Sequence, residues 1–239
     1  MIPARRASQR LPDKPLADIG GVPMIVRVWR CAQAYAAHRK DMPSPLVACD
    51  DQAVATLIAQ AGGQALLTDP DLPSGSDRVF QALERFDPKR RIKTIINLQG
   101  DMPFIEPSVI DETLRPLQDP SVDLATVVTP LEMAAAEMPQ VVKVAAELTG
   151  KTGRALYFSR ARIPYGGGRL FHHIGVYAWR RASLARFIAA PPSQTEQAEQ
   201  LEQLRALALG MKIGIQVTDT PPLSVDVPAD LERARALVC

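Results

Sequence analysis

Cysteine is scarce in this sequence of 239 residues: Cys31, Cys49 and Cys239 stand far apart and are odd in number. Neither a disulfide framework nor a zinc-ligand spacing follows from such an arrangement, and reduced thiols in a cytoplasmic protein are the expectation. Long apolar runs are lacking too, since none approaches the roughly 20 residues that span a bilayer. The opening MIPARRASQR has none of the apolar core that a secretion signal carries. No G-x-G-x-x-G follows a strand-like run, which sets aside an ordinary dinucleotide-binding opening. An excess of charge of one sign is also missing, with 28 Lys and Arg against 26 Asp and Glu. No global field therefore draws nucleic acid or an anionic membrane, and any polyanion must be met by a local cluster of cations. Internal repeats and low-complexity segments are absent.

What is present is an alternation. Short apolar runs fall at 45–49, 64–68, 92–98, 124–130, 141–147, 173–179 and 212–217, and helix-period segments near 23–37, 52–61, 77–86, 107–117, 181–189, 196–209 and 228–238. In the first half strand and helix alternate, which implies parallel strands with helical crossovers. IKTIINL (92–98) reads as a strand buried on both faces. Asp50-Asp51 and Ser76-Asp77 stand where helix N-caps belong, and Pro228 where a first-turn proline belongs. Over 141–179 strands follow one another and LTGKTG (148–153) supplies a hairpin turn. The expectation is one α/β domain over 1–239, with a mostly parallel, Rossmann-like sheet and a β-rich insert over about 141–180 forming a smaller lobe. Gly166-Gly167-Gly168 reads as a loop between strand-like flanks. A doubly wound sheet delivers its first phosphate loop from the end of a buried strand, yet only Met1 and Ile2 precede PARRASQR. About five further strand residues are therefore expected upstream of Met1, judged from ordinary strand lengths. An intact mass of the native protein with Met1 as its first residue overturns that expectation.

Residues 3–15, PARRASQRLPDKP, place Arg5, Arg6, Arg10 and Lys14 in one proline-constrained loop. A triphosphate needs such convergent cations, although charge alone fits a solvated basic N-terminus as well. The order of residues decides. Ala4, Arg5, Ser8, Arg10, Leu11, Pro12, Lys14 and Pro15, continued by Leu16, Asp18, Ile19, Gly21, Pro23, Met24 and Ile25, closely resemble the opening signature of the 3-deoxy-manno-octulosonate (KDO) cytidylyltransferases. SGSDR (74–78), NLQGDMP (97–103), ALYFSRARIP (155–164), HIGVY (173–177), LEQLR (201–205) and VDVPADLE (225–232) resemble further motifs of that family, in its order. Three departures stand out. Met102 replaces an acidic residue, Val227 replaces a threonine, and the loop 165–172 is short.

The resemblance implies a Rossmann-like nucleotidyltransferase that moves CMP from CTP to KDO for lipopolysaccharide biosynthesis, with Mg²⁺ as cofactor and a homodimer as its assembly. Asp101 and Asp226 match metal-binding aspartates, although either alone reads more readily as a helix cap. Ala4, Arg5, Ser8, Arg10, Lys14, Arg78, Gln99 and Asp101 match the nucleotide site, and Arg5, Arg10, Lys14, Asp101 and Asp226 are the expected catalytic set. Guanidinium suits a sugar carboxylate, so Arg160 or Arg162 is the candidate for that role. Tyr157, Ser159, His173, Tyr177 and Gln203 offer neutral donors and acceptors for hydroxyls. Against this, Tyr157 and Tyr177 also read as packing residues, and Gln203 as part of a solvated face with Glu196, Glu199 and Glu202. Lys143, inside VVKVAAE, either lies at a strand edge with its head in water or reaches a substrate anion. The alternatives are a cytidylyltransferase for another sugar acid, 8-amino-KDO or a sialic-acid relative, and a non-catalytic nucleotide-binding homologue.

Overall fold

Runs of Leu, Val, Ala and Ile too short for helices, flanked by capped helix-period segments, organise the chain into two compact units. The computed structural model describes residues 1–5, 11–40, 42–166 and 168–238; Ser8, Arg10 and Gly167 lie outside them. One unit comprises Met1–Arg91, Asn97–Pro107 and Pro222–Cys239, and the other Ile92–Ile96 and Ser108–Pro221. The second unit thus takes in the 141–180 segment and extends well beyond it. No helix among the described residues is long and apolar enough to cross a membrane.

In the first unit the strands Ile2–Ala4, Leu46–Cys49 and Gln64–Leu67 form a parallel sheet with Leu46–Cys49 in the middle. The register sets Ile2 against Val47 and Leu46 against Gln64. The Leu98 amide donates to the Met1 carbonyl at 3.0 Å, which lays the segment leading to Asp101 beside the first strand. The helices Met24–Ala37 and Gln52–Gln60 are the crossovers. Met24, Ile25, Val28, Trp29, Ala32, Tyr35 and Ala36 bury one stripe of the first, the spacing that an amphipathic helix requires. Asp51 caps the second by accepting from the Ala53 amide at 2.7 Å. The helix Gly75–Phe86 is capped by Ser74, whose hydroxyl accepts from the Asp77 amide. The cap expected at Ser76-Asp77 is therefore two residues earlier, because Ser76 is buried and its hydroxyl accepts from Asn97.

The loop after Leu11 is tied down by its apolar residues. Leu11, Ile19 and Met24 pack with Val225, Leu231 and Ala234 from the C-terminal segment. A two-residue turn at Gly20-Gly21, both at positive φ, joins Asp18–Ile19 to Val22–Pro23; such hairpin turns need that conformation, and glycine adopts it without strain. The final helix, Pro228–Ala236, begins with proline in its first turn as expected. Val227 cannot cap it. Instead the Asp230 carboxylate reaches back to accept from the Asp226 and Val227 amides at 3.1 Å each.

In the second unit the strand order is Thr94–Asn97, Phe171–Arg180, Leu124–Pro130, Ile213–Val217, Thr152–Ser159, Lys143–Thr149. This larger sheet is mixed. Ile213–Val217 runs parallel to Leu124–Pro130 and antiparallel to Thr152–Ser159, while Phe171–Arg180 runs antiparallel to Leu124–Pro130. Lys143 pairs with His172, so the last strand in the order returns to the second and closes a ring of five. The hairpin turn read from LTGKTG lies between Thr149 and Thr152, which face each other in register. The helix expected over 196–209 is two short ones, Gln194–Glu199 and Gln203–Ala208, separated where Gln200 takes a positive φ. The break is held by Glu196, which closes a capping box with Ser193 and takes an ion pair from buried Arg205 at 2.5 Å.

Candidate active site

The first unit gathers its chemistry at the C-terminal ends of its strands, where ligands of open α/β sheets are met. Ala4 ends the first strand and is buried, and Arg5 follows it, exposed, donating to the Pro73 carbonyl at 3.5 Å. Gly100 is required by close approach: a Cβ there would lie 2.9 Å from the Pro3 carbonyl oxygen. That contact holds the turn carrying Gln99 and Asp101 against the first strand. The Gln99 amide oxygen lies beside Gly75, at the start of the helix Gly75–Phe86.

Lys14, in the one-turn helix Lys14–Leu16, joins the two aspartates picked out by sequence. Its ammonium donates to Asp101 Oδ2 at 2.6 Å and to Asp226 Oδ1 at 3.0 Å. Desolvation works against the Lys14 charge, but the two carboxylates raise its pKa above the ordinary lysine value, so it stays a cation. Asp101 Oδ1 is buried and has no hydrogen-bond partner among the described residues. The Val225 amide donates to the Asp101 main-chain carbonyl at 2.9 Å and so fixes the two segments side by side. No group of three or more His, Cys, Asp or Glu that could enclose a metal exists among the described residues. Two convergent carboxylates, one with an idle buried oxygen, suit Mg²⁺, which takes one or two carboxylates and completes its shell with phosphate oxygens and water.

Arg78 is fully buried. Its guanidinium pairs with Asp50 at 3.1 Å and donates to the Thr68 hydroxyl at 2.5 Å and to the Asp69 and Pro70 carbonyls at 3.3 and 3.4 Å. Matched by the family pattern to the nucleotide site, it braces the segment that leads to Pro73 and Ser74.

In the second unit the expected sugar residues divide. Ser159 is buried and donates to Glu199 at 2.7 Å, and the Arg160 amide donates to the other oxygen of the same carboxylate at 2.9 Å. The Arg160 guanidinium is spent on the carbonyls of Glu199, Pro139 and Gln200 at 2.9, 3.2 and 3.3 Å. Arg162 is half-buried and pairs with exposed Glu137 at 3.4 Å. Of the two arginines, Arg162 is the less committed to main-chain carbonyls.

His173 is buried, edge-on to Phe158 at 5.0 Å and next to Tyr177 at 5.4 Å. Burial pushes its pKa down to about 3, so the ring is neutral, and it shares a hydrogen bond with the Thr126 hydroxyl at 3.0 Å. Thr126 sits at the bulge between Ile174 and Tyr177, within 3.0 and 2.7 Å of the Ile174 and Val176 carbonyls. Tyr177 is buried and its hydroxyl is held protonated by desolvation; Tyr157 is half-buried in the strand that faces Ala145. Gln203 is buried rather than on a solvated face. Lys143 is fully buried with its ammonium on the Met138 and Arg160 carbonyls, so it neither lies at a wet edge nor stands free for an anion.

The cytidylyltransferase family model matches residues 1–213. A 3-deoxy-manno-octulosonate cytidylyltransferase of Rhodospirillum centenum is 52% identical over 241 residues, covering 100% of this chain and 92% of that protein. The chain belongs to the 3-deoxy-manno-octulosonate cytidylyltransferase family. A relative of the same name from Afipia carboxidovorans is 50% identical over 240 residues, covering 100% of this chain and 95% of its own. A solved structure described as CMP:2-keto-3-deoxy-manno-octonic acid synthetase complexed with CTP superposes with a TM-score of 0.88 at 38% identity, covering 99% of this chain and 95% of that one. At 10% identity, the 4-diphosphocytidyl-2C-methyl-D-erythritol synthase of Anaerococcus prevotii shares the fold with a TM-score of 0.64, over 99% of this chain and 96% of that one.

Within this cytidylyltransferase, Met102 is buried, so the residue that departs from the family pattern beside Asp101 serves packing. Asp50, Thr68, Thr126 and Glu199 were missed by sequence reasoning. In sequence Asp50 stands where a helix cap belongs, and Glu199 on a glutamate-rich face. Asp50 and Arg78, Thr126 and His173, and Glu199 with Ser159 and Arg160 are far apart in sequence, and only the fold brings each set together.

Proposed function

We propose that this cytidylyltransferase transfers CMP from CTP to KDO and releases pyrophosphate. The observation that carries the reading is the Lys14–Asp101–Asp226 cluster, in a chain 52% identical to a KDO cytidylyltransferase. The anomeric hydroxyl of the sugar acid attacks the α-phosphorus of CTP, and the bond to the bridging oxygen of the pyrophosphate breaks. Such a displacement is promoted by alignment and by neutralising phosphate charge. Asp101 and Asp226 would hold Mg²⁺, which when bound supplies Lewis-acid polarisation of the α-phosphate.

Arg5 and Lys14 bring positive charge to the triphosphate, joined in the family pattern by Arg10 and the Ser8 hydroxyl. Gln99 offers an amide donor and acceptor, and Arg78 keeps the adjoining segment in place. In the second unit Arg162 is the guanidinium best able to meet a sugar carboxylate. Neutral His173, with Tyr157, Tyr177 and Gln203, suits hydroxyls. The reading extends to lipopolysaccharide biosynthesis as the use of the product and to a cytoplasmic homodimer as the working form. The test is pyrophosphate release from CTP and Mg²⁺, with KDO and 8-amino-KDO in parallel. Turnover with KDO, and slower turnover with the amino sugar, supports the reading; preference for the amino sugar moves the assignment to that substrate, and no release with any sugar acid by folded protein overturns it.

A further inference from the structure

The ammonium of Lys14 lies within 2.6 Å of one metal-site carboxylate and 3.0 Å of the other. Mg²⁺ held by Asp101 and Asp226 would draw on the same two carboxylates that the ammonium contacts. The two cations exclude each other sterically and by charge. Lys14 and Asp226 are 212 positions apart, so this is a contact that the fold builds rather than a local pairing. The Leu11–Ile19–Met24 cluster packs the segment around Lys14 onto Val225, and the Val225 amide holds the Asp101 carbonyl.

We propose that Lys14 is an exchangeable counter-cation of the metal site. Without nucleotide it neutralises Asp101 and Asp226 and opposes entry of a divalent ion. When CTP arrives, its phosphates give the displaced ammonium a new anionic partner, and the carboxylates are released to the metal. The lysine that binds phosphate thereby makes metal binding conditional on nucleotide. Such coupling is reciprocal, each ligand favouring the other by the same factor. The inference rests on Asp101 and Asp226 being the metal ligands of the proposed reaction, and the test separates the two ideas.

Binding of Mn²⁺ alone to the nucleotide-free protein would be followed by the loss of the free-ion electron paramagnetic resonance signal, in wild type, Lys14→Met and Lys14→Met/Asp101→Asn. Circular dichroism would confirm that each variant is folded. Removing a like charge within contact distance of the ion should tighten Mn²⁺ binding by roughly tenfold or more in Lys14→Met, and Asp101→Asn should cancel the gain. Unchanged or weaker binding in Lys14→Met overturns the counter-cation role, leaving the metal assignment standing if Asp101→Asn alone, added as a fourth protein, raises the Mn²⁺ concentration that half-saturates pyrophosphate release. A gain that survives Asp101→Asn overturns it as well, since the ion is then bound elsewhere. Wild-type crystals soaked in Mn²⁺ without nucleotide give a second measurement that needs no variant. No anomalous peak between the aspartates, with Lys14 in place, supports the proposal; a peak bridging them while Lys14 keeps both contacts refutes it.

Discussion

Asp101→Ala should lower the rate of pyrophosphate release on the order of 10³-fold, with the protein still folded. Removing a single preorganised group that neutralises transition-state charge costs about 10²–10³ in rate, and Asp101 is also one of the two carboxylates that converge on Lys14 at the proposed metal site. Its side chain meets Lys14 through Oδ2 and leaves Oδ1 buried without a partner among the described residues. An oxygen in that condition costs free energy in the resting protein, because a buried acceptor that makes no hydrogen bond has lost its water. Alanine removes that cost together with the ion pair, while Lys14 keeps Asp226 at 3.0 Å. The change in stability should therefore be small beside the change in rate. A urea melt of each protein and a steady-state pyrophosphate assay check both halves. Asp101→Asn, which keeps the volume but not the charge, should be nearly as slow as alanine. Rates for either variant within tenfold of wild type would remove Asp101 from the metal site.

Much of this arrangement can be read from the sequence, and what cannot has a common physical cause. Apolar runs and caps are local, so the alternation of strand and helix in the first half and the hairpin at LTGKTG are found where the residues put them. The motif PARRASQRLPDKP and the two aspartates are legible as chemistry because their residue types are unusual in their setting, a cation cluster in a proline loop and carboxylates just beyond apolar runs. Pairings between distant segments are not legible. Nothing near Lys143 indicates that its ammonium is spent on the Met138 and Arg160 carbonyls. Nothing near Glu199 distinguishes it from the solvated glutamates beside it. The break at Gln200 was hidden for the same reason: the residue is not glycine, and the left-handed turn is enforced by Glu196 and Arg205 rather than by local preference.

Arg78 shows how the same limit hides a buried contact, and its replacement should have the largest effect on stability. The family pattern puts it in a nucleotide-binding motif, yet its guanidinium is fully buried and surrounded by Asp50, the Thr68 hydroxyl and two carbonyls. The Thr68 hydroxyl in turn donates to the Cys49 carbonyl at 3.0 Å, linking the brace to the central strand. Breaking a buried ion pair by removing one partner costs about 3–5 kcal/mol, since the other charge is left uncompensated. Arg78→Met should accordingly lower the unfolding free energy by about that amount, read from urea melts. Arg78→Lys should recover only part of it, because an ammonium cannot reproduce the planar fork that meets four acceptors. Replacing both partners, Arg78→Met with Asp50→Leu, should cost less than the sum of the single changes, and the double-mutant cycle measures the coupling directly. The melts also distinguish the two roles open to Arg78. If it touched CTP, Arg78→Lys would raise the KM for CTP while leaving the melt near wild type. If it braces the 68–73 segment, stability falls first, and the KM changes only as far as the loop loses its place.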